Sequence, residues 1–425
     1  MVFLNFVTIR NIARSIVRSR YTLHHRPYHC SMAKAKDALY CEIDAEPLSR
    51  YRKGGYHPVH LGDQLKSGRY QILHKLGWGG YATVWLAKDN QLDRSVAIKI
   101  MVSELGPEHQ EASIYQRLSH GPASHPGRRY IPELFDHFEL YGPNGVHHCL
   151  VLELLGAAAT SVAENFATSR LPGRLAWDVA RQVVQAVAYM HGVDVVHGDL
   201  HPGNIVFVDE SISGKPHEDI IRSMGPPTTG GIHGQTLTNH IPRYLVLPSP
   251  LPLSSTKSDQ CAIKIIDFGS AFLSGNRSPK MRCPLPYRAP EAVLTARWGI
   301  KADIWCLGCT IFALIVGYPP FDSFLFTENE LARQWIATFG KLPPEWESEF
   351  ISVDLEPSDV ETTDFSEWLC ETYLDDDKPP FFSKTDLQAI SVMLRPLFRF
   401  LPSDRPSAEE VLLDPLFRNQ AFDKR

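Results

Sequence analysis

Three polar residues in the middle of the chain have the types and spacing needed to transfer a phosphoryl group. Asp199 is followed five residues later by Asn204, and Asp267 stands further downstream in an Asp-Phe-Gly sequence. In this arrangement one carboxylate accepts the proton of the attacking hydroxyl, while the amide and the second carboxylate hold the metal ions that neutralise the phosphates. We therefore take Asp199 as the candidate base and Asn204 and Asp267 as candidate Mg²⁺ ligands, with ATP as the nucleotide.

A glycine-rich segment lies upstream, between the strand-like runs 70–73 and 83–87. Glycine lets the backbone approach phosphate oxygens because no Cβ stands in the way. One glycine of the usual pattern is replaced by alanine here. The segment predicts a loop over the nucleotide, formed by Leu76, Gly77, Trp78, Gly79, Gly80, Tyr81, Ala82, Thr83 and Val84.

The β-branched run Val96-Ala97-Ile98-Lys99 predicts a strand that ends in a phosphate-binding lysine. Ala97 and Lys99 are candidate nucleotide contacts, and Lys99 needs a carboxylate partner to stay oriented. Glu111 is the best candidate, because Glu111, Tyr115 and Leu118 share one helical face. Two nearby glutamates remain open as alternative partners: Glu104 and Glu108.

Three further motifs follow in order: Ala289-Pro290-Glu291, Asp303-Ile304-Trp305 and Asp404-Arg405-Pro406. With them, the chain from about residue 70 to about residue 417 resembles the eukaryotic protein kinases. The resemblance implies an α+β, two-lobed fold, with a small antiparallel β-sheet lobe carrying one main helix and a larger, mainly helical lobe. It also implies that Glu291 pairs with Arg405 below the substrate-binding segment, and that Asp303 caps the backbone of the catalytic loop.

Residues 54–63 and 75–87, which include Gly54-Gly55-Tyr56-His57-Pro58-Val59, are similar to the SR-protein kinases. Those enzymes phosphorylate serines in the Arg-Ser repeats of splicing factors. The similarity extends to residues 152–156, which implies a hinge whose backbone from Glu153 to Leu155 binds the nucleotide. We therefore expect an ATP-dependent serine/threonine kinase acting on Arg/Ser-rich proteins of mRNA processing. The resemblance implies a location in cytoplasm and nucleus.

The catalytic loop departs from the protein kinase pattern at three positions. Gly198 stands where most kinases carry an arginine that docks a phosphorylated activation segment, so phosphorylation of residues 270–288 is not expected to activate the protein. Gly203 replaces the usual glutamate. His201, a candidate catalytic residue, stands where serine/threonine kinases carry a lysine that contacts the γ-phosphate. Because histidine is largely neutral near pH 7, it would stabilise transition-state charge less well.

These departures leave two alternatives open. In aminoglycoside and choline phosphotransferases this loop has the sequence His-Gly-Asp-Leu-His-Pro-Gly-Asn, the same as in this chain. Those enzymes, however, lack the three downstream motifs. A weakly active pseudokinase scaffold is the second alternative. It is disfavoured because the four residues needed for transfer are all present: Lys99, Asp199, Asn204 and Asp267.

Composition excludes several other classes of protein. The net charge of −5 argues against nucleic acid as a direct ligand. No run of about twenty apolar residues predicts a membrane-spanning helix. The eight cysteines show no metal-binding or disulfide spacing, and Cys306 and Cys309 fall in an apolar helix where burial is expected. We expect a monomer.

We divide the chain into a segment 1–36, an extension 37–69 and a kinase domain 70–420, with lobes 70–154 and 155–420. Segment 1–36 holds seven Lys or Arg and no Asp or Glu. Apolar residues recur there at helical spacing, as in a mitochondrial transit peptide. The alternatives are a disordered basic tail and a start at Met32.

Two insertions are predicted inside the large lobe. Residues 209–260 contain seven prolines and five glycines, which predicts mostly loop with an ordered strand near 241–247. Residues 345–377 contain thirteen Asp or Glu and no Lys or Arg. Aromatic residues within this acidic segment are expected to pack on the large lobe, while its charges would attract Arg-rich substrates.

Overall fold

The chain folds into a β-sheet lobe followed by a helical lobe, as a computed structural model shows. The structure describes residues 39–106, 109–209, 211–212, 214–234, 238–251, 261–276, 281–295, 297–321, 327–347, 364–374, 380–418 and 422. The strands are β1 Tyr40–Cys41, β2 Gln64–Leu65, β3 Tyr70–Gly79, β4 Ala82–Asp89, β5 Arg94–Met101, β6 Leu134–Gly142, β7 Gly145–Leu152, β8 Val195–Val196, β9 Ile205–Phe207, β10 Thr229–His233, β11 Tyr244–Val246, β12 Ile263–Ile265 and β13 Phe272–Leu273. The helices are α1 Glu111–Ser119, α2 Ala159–Glu164, α3 Gly173–Gly192, α4 His217–Met224, α5 Pro290–Leu294, α6 Ile300–Val316, α7 Glu328–Phe339, α8 Pro344–Glu347, α9 Phe365–Leu374, α10 Lys384–Leu394, α11 Ala408–Leu412 and α12 Pro415–Arg418.

The small lobe is one antiparallel sheet with strand order β2-β3-β4-β5-β7-β6, accompanied by helix α1. Alternation along the strands gives the sheet two different faces. Trp85 pairs with Ile98 on the face that packs into the small-lobe core. Val84 pairs with Lys99 on the opposite face. The alternation thus places the phosphate-binding lysine on the face turned away from that core, and the predicted fold class is confirmed.

The core of the large lobe is built around helices α3 and α6. Helix α6 is apolar on nearly all sides and buried along its length, which fits a central helix surrounded by other elements. Trp305 packs edge-to-face on Trp335 and Phe398, with ring centroids 5.6 and 5.2 Å apart. Cys306 and Cys309 are buried in this helix, as predicted, and burial raises the pKa of both thiols.

Most of the described part of the insertion at 209–260 lies outside helices and strands, as predicted, and β11 falls within the predicted strand at 241–247. The insertion contains helix α4 and strands β10 and β11, and β10 pairs on its other side with β1 of the extension. Ile220 and Leu251 pack against Leu86 of the small lobe. Apolar side chains spaced through the segment therefore bury against the small lobe, in spite of its many prolines and glycines.

Two other predicted segments are described only in part. Trp346, Phe365, Trp368 and Tyr373 of the acidic segment are buried in the large-lobe core, as predicted. Residues 348–363 and 375–377, which carry most of its acidic side chains, lie outside the described residues. Segment 1–36 also lies outside them. In the described part of the chain, no helix is long and apolar enough to cross a bilayer.

Candidate active site

The loop that carries Asp199 joins β8 to β9 and is fixed through its backbone. Asp303, in the first turn of α6, accepts hydrogen bonds from the amides of His197 at 2.7 Å and Gly198 at 2.9 Å. Burial opposes the charge of this carboxylate, but hydrogen bonding to His191 and these amides holds the pKa of Asp303 below its ordinary value. The predicted capping of the catalytic loop by Asp303 is confirmed.

Asn204 and Asp199 are brought together at the far end of this loop. The Asn204 side chain donates from Nδ2 to the backbone carbonyl of Asp199 at 2.8 Å, which leaves Asn204 Oδ1 for another partner. Asp199 Oδ1 is buried and has no hydrogen-bond partner among the described residues. Burial, together with the negative charge of Asp267, raises the pKa of Asp199 to about 7. This carboxyl is thus a base poised near neutral pH.

Lys99 lies between two carboxylates. Its Nζ donates to Glu111 at 2.6 and 2.9 Å and to Asp267 at 2.7 Å. Burial opposes its charge, but the attraction of Asp267 and Glu111 outweighs burial and raises the pKa of Lys99. The charge of Lys99 in turn lowers the pKa of Asp267 to about 2, against the effect of burial. Both groups are therefore charged at neutral pH.

The predicted pairing of Lys99 with Glu111 is confirmed, and the alternative pairing of Lys99 with Glu104 is not. Glu104 binds Arg50 at 2.9 Å instead. The other alternative, Glu108, lies outside the described residues. Burial raises the pKa of Glu111, which makes its ionised form depend on the lysine beside it.

Three rings in edge-to-face contact connect helix α1 to the catalytic loop. Tyr115 meets Phe268 edge-to-face with ring centroids 5.0 Å apart, and Phe268 meets His197 in the same way at 5.1 Å. His197 also bonds through Nε2 to the Ile266 carbonyl at 3.1 Å. The sequence indicated Tyr115 as a packing residue. It did not indicate the role of His197, because ring stacking depends on contacts that no local spacing specifies.

The glycine-rich loop is the turn between β3 and β4. Gly77 pairs with Val84 and Gly79 with Ala82. A Cβ added at Gly77, Gly79 or Gly80 would meet no heavy atom within 4 Å, so open space lies beside this backbone. That space fits the approach of phosphate oxygens to backbone amides.

The side chains predicted to contact the nucleotide divide between the two faces of the sheet. Val84, Ala97 and Lys99 share one face, by register and alternation. Thr83 is the exception and corrects the prediction: its side chain is buried, and its Oγ1 accepts from Trp85 Nε1 at 2.9 Å on the core face. Residues on the loop itself differ in exposure: Trp78 and Tyr81 are exposed, Ala82 is buried and Leu76 is half-buried.

The hinge leaves only part of the predicted backbone site available to a nucleotide. The amide of Glu153 donates to the Glu133 carbonyl at 3.1 Å, so this amide is not available to a nucleotide. Its carboxylate binds Lys264 at 2.8 Å and accepts from the Glu133 amide at 2.9 Å. Of the predicted hinge backbone, these bonds leave the Glu153 carbonyl and the backbone of Leu155 to bind an adenine.

A buried ion pair lies below the segment that follows the catalytic residues. Arg405 donates to both carboxylate oxygens of Glu291 at 2.7 Å. Its remaining donors bind carbonyls of Arg399, Lys301 and Phe400. The guanidinium is thus fully engaged, and the predicted pairing of Glu291 with Arg405 is confirmed.

Comparison with known families identifies the family to which the chain belongs. The protein kinase domain family matches residues 70–216 and 252–417, which is most of the chain. The chain belongs to the protein kinase family. The unmatched stretch between these ranges falls inside the predicted insertion, while the exact domain bounds stay predictions. Protein kinases take the phosphoryl group from ATP, and ATP is the nucleotide that this cleft is built for.

Relatives of this kinase carry related names. "Protein kinase dsk1" of Schizosaccharomyces pombe is 28% identical over 65% of this chain and 66% of its own length. "Serine/threonine-protein kinase SRPK" of Physarum polycephalum is 27% identical over 88% of this chain and 91% of its own. "SRSF protein kinase 3" of Homo sapiens is 38% identical over 38% of this chain and 29% of its own. The resemblance to SR-protein kinases is confirmed.

The position of Gly198 in this kinase has no room for a side chain. Its φ is +74°, and an added Cβ would lie 2.8 Å from Trp298 Cη2 and 2.9 Å from the Ser270 carbonyl oxygen. Trp298 also packs edge-to-face on Phe272 at 5.0 Å. Aromatic packing therefore lies where most kinases would place an arginine. That phosphorylation of 270–288 does not activate the enzyme stays a prediction.

His201 and Gly203 are linked by their geometry. His201 Nδ1 accepts a hydrogen bond from the Gly203 amide at 3.1 Å, so the ring proton resides on Nε2, which lies 3.6 Å from Asp199 Oδ1. A Cβ on Gly203 would lie 2.8 Å from His201 Cε1. Burial lowers the pKa of His201 to about 4. The histidine is thus neutral at pH 7 and presents an N–H toward the base.

Proposed function

We propose that this kinase transfers the γ-phosphate of ATP to serine, and to threonine, in Arg/Ser-rich proteins of mRNA processing, with Mg²⁺ as cofactor. The proposal rests on the assembled cluster of Lys99, Glu111 and Asp267 beside Asp199, whose buried Oδ1 accepts no hydrogen bond from the described residues. Each of these groups is needed for transfer from ATP.

The donor atoms fit a magnesium nucleotide. Asp267 is ionised, and Asn204 has its Nδ2 engaged and its Oδ1 left as an oxygen ligand of the kind Mg²⁺ prefers. These two residues would hold the metal, and Lys99 would bind the α- and β-phosphates. When bound, Mg²⁺ neutralises charge on the phosphates. The open backbone at Gly77, Gly79 and Gly80 leaves space for the phosphate oxygens.

Asp199 would orient the acceptor hydroxyl and take its proton. Its pKa of about 7 makes the carboxylate a stronger base than an ordinary aspartate while leaving it largely ionised above neutral pH. The neutral His201 offers an N–H beside it rather than the permanent charge of a lysine. We infer that transition-state charge is stabilised mainly by Lys99 and the metal, with a smaller contribution from His201.

The substrate class rests on the relatives and on charge. Two relatives are named as SRPK and SRSF protein kinase 3, and the segment 345–377 carries thirteen acidic residues without a basic one. Negative charge on this segment would steer Arg-rich segments, an effect that salt weakens. The small-molecule phosphotransferase is not favoured, because the buried brace of Glu291 and Arg405 supports a peptide-binding segment.

A set of acceptors tests the reaction class. Wild-type protein would be given radiolabelled ATP and Mg²⁺ with an Arg-Ser repeat peptide, a generic basic serine peptide, or a mixture of aminoglycosides and choline. We expect label mainly on the Arg-Ser peptide. Label on the small molecules would overturn the protein-kinase reading, and nucleotide binding without any transfer would favour a scaffold.

Charge substitution tests the substrate class separately. Neutral residues would replace Glu345, Glu347, Asp354 and Glu356, and we expect the affinity for an Arg-Ser peptide to fall, most strongly at low salt. The matched control neutralises four exposed acidic residues elsewhere: Asp44, Asp93, Glu139 and Glu218. An unchanged affinity in the first variant, or an equal loss in both, would contradict steering by this segment.

We further propose that the enzyme acts as a monomer in cytoplasm and nucleus, on family resemblance. The basic segment 1–36 supports the alternative of mitochondrial import. Mass spectrometry of the mature N-terminus distinguishes the two, since cleavage between about residues 25 and 40 would favour import. Analytical ultracentrifugation would test the monomer.

A further inference from the structure

Two side chains of the extension 37–69 bind the glycine-rich loop from outside the cleft. Tyr56 donates from its hydroxyl to the Gly79 carbonyl at 2.7 Å. Arg50 donates from Nη2 to the Gly80 carbonyl, also at 2.7 Å. Neither residue belongs to the predicted nucleotide site, yet both contact the part of the loop that has no side chains of its own to hold it.

Both donors are held firmly in place. Tyr56 is 1% exposed and meets Tyr51 edge-to-face with centroids 5.5 Å apart. Its own carbonyl accepts from Asn144 Nδ2 at 2.6 Å. Arg50 is held by Glu104 at 2.9 Å. Burial raises the pKa of Tyr56, so its hydroxyl keeps the proton that it donates.

The two glycines before Tyr56 allow this approach. Gly54 has a φ of +83°, and a Cβ on Gly55 would lie 1.8 Å from the Arg50 carbonyl oxygen. The same carbonyl accepts the Tyr56 amide at 3.0 Å. The backbone must therefore fold tightly between Arg50 and Tyr56 for both side chains to reach one loop, which explains the Gly-Gly-Tyr sequence.

The geometry of the peptide bond links these contacts to phosphate binding. In a trans peptide the C=O and the N–H point in opposite directions. Holding the carbonyls of Gly79 and Gly80 toward the extension therefore directs the amides of Gly80 and Tyr81 away from it, toward the cleft. A hydrogen bond to the carbonyl also polarises the amide of the same peptide and makes it a better donor.

We propose that Tyr56 and Arg50 are positioning residues that hold the glycine-rich loop in its phosphate-binding conformation. The inference rests on the proposed function, because it concerns the loop that covers ATP. It assigns to the extension a part in nucleotide affinity. The contribution is directed at the phosphates and leaves the adenosine part of the nucleotide unaffected.

The test compares ligands with and without phosphates. Dissociation constants for ATP, ADP and adenosine would be measured by calorimetry, with Mg²⁺ present, for Tyr56→Phe and Arg50→Met in the full chain. Each variant should weaken ATP and ADP binding roughly threefold to tenfold, the value of one or two hydrogen bonds, and leave adenosine unchanged. Arg52→Met is the matched control, since Arg52 also binds Glu104, at 3.3 Å, but not the loop.

Unchanged ATP affinity in Tyr56→Phe, or equal losses for ATP and adenosine, would overturn the proposal. If Arg50→Met strongly lowers the thermal midpoint of unfolding, Tyr56→Phe still tests the proposal, because it keeps the buried ring. Failure of the proposed function would look different, because the wild-type protein would then bind no ATP, or would bind ATP without labelling the Arg-Ser peptide, whatever the variants do.

Discussion

The pKa of about 7 at Asp199 arises from burial and from the neighbouring charge of Asp267. A base works only in its ionised form, so the raised pKa moves the acid limit of activity into the neutral range. His201, with a pKa of about 4, is neutral throughout that range and adds no ionisation of its own. At this scale the site is tuned by surroundings that the motif alone does not reveal.

We expect kcat/KM for ATP, which reports the enzyme before nucleotide binds, to fall about tenfold for each pH unit below 7 and to level off above it. Since the folded-state pKa of this acid is raised, activity is present above that pKa and lost below it. His201→Ala should retain the same acid limb. A profile that stays flat from pH 6 to 8 in the wild type would contradict the assignment.

The contact of His201 with Gly203 predicts a coupling between the two positions. Gly203→Ala should lower kcat, because its Cβ would lie 2.8 Å from His201 Cε1 and displace the ring. In a His201→Ala background the same change should cost much less, since the ring is absent. A double-mutant cycle on kcat measures the difference, and additive effects would show that the contact does not matter.

At the scale of elements, the buried pair of Glu291 and Arg405 joins α5 to the chain just before α11. Arg405→Met leaves Glu291 buried without its partner, and we expect the free energy of unfolding to drop by about 3–5 kcal/mol. The double variant Glu291→Leu with Arg405→Met should recover most of that loss. Urea denaturation of both proteins checks this. Equal losses of stability in the single and the double variant would mean that the loss comes from packing, since only the single variant carries an unpaired charge.

The elements of the catalytic machinery were largely predictable, because their signals are local. The strand ending in Lys99, the helical face of Glu111 and the apolar helix α6 each follow from periodicity within a few residues. The side chain of Thr83 turns to the core face with the strand alternation, which the motif alone did not show. The Glu153 amide pairs with Glu133, a long-range contact that no motif in the sequence specifies.

In the whole molecule, the extension and the insertion pack on each other and on the small lobe. The Leu61 amide of the extension donates to the Tyr244 hydroxyl oxygen of the insertion at 3.1 Å. The Ser249 amide binds the Lys75 carbonyl at 3.0 Å, and Lys75 forms a buried ion pair with Glu46. These partners are far apart in sequence, so composition alone could not predict that the segment would pack.

We expect Ile220→Ala to destabilise the protein by about 2–4 kcal/mol, because Ile220 is buried against the small lobe. Leu92→Ala, at an exposed position on the same lobe, is the control and should cost little. Thermal and urea unfolding measure both. A negligible effect at Ile220 would show that the insertion contributes no packing to the lobe.

The role of Asp199 as the base of a protein phosphoryl transfer can be tested by substituting its carboxylate. Transfer from ATP and Mg²⁺ to an Arg-Ser peptide would be compared for wild type and Asp199→Asn, with ATP affinity measured on the same samples. We predict that turnover falls at least about a hundredfold while ATP binding is retained. An unchanged rate with unchanged binding would remove Asp199 from the mechanism and contradict the account.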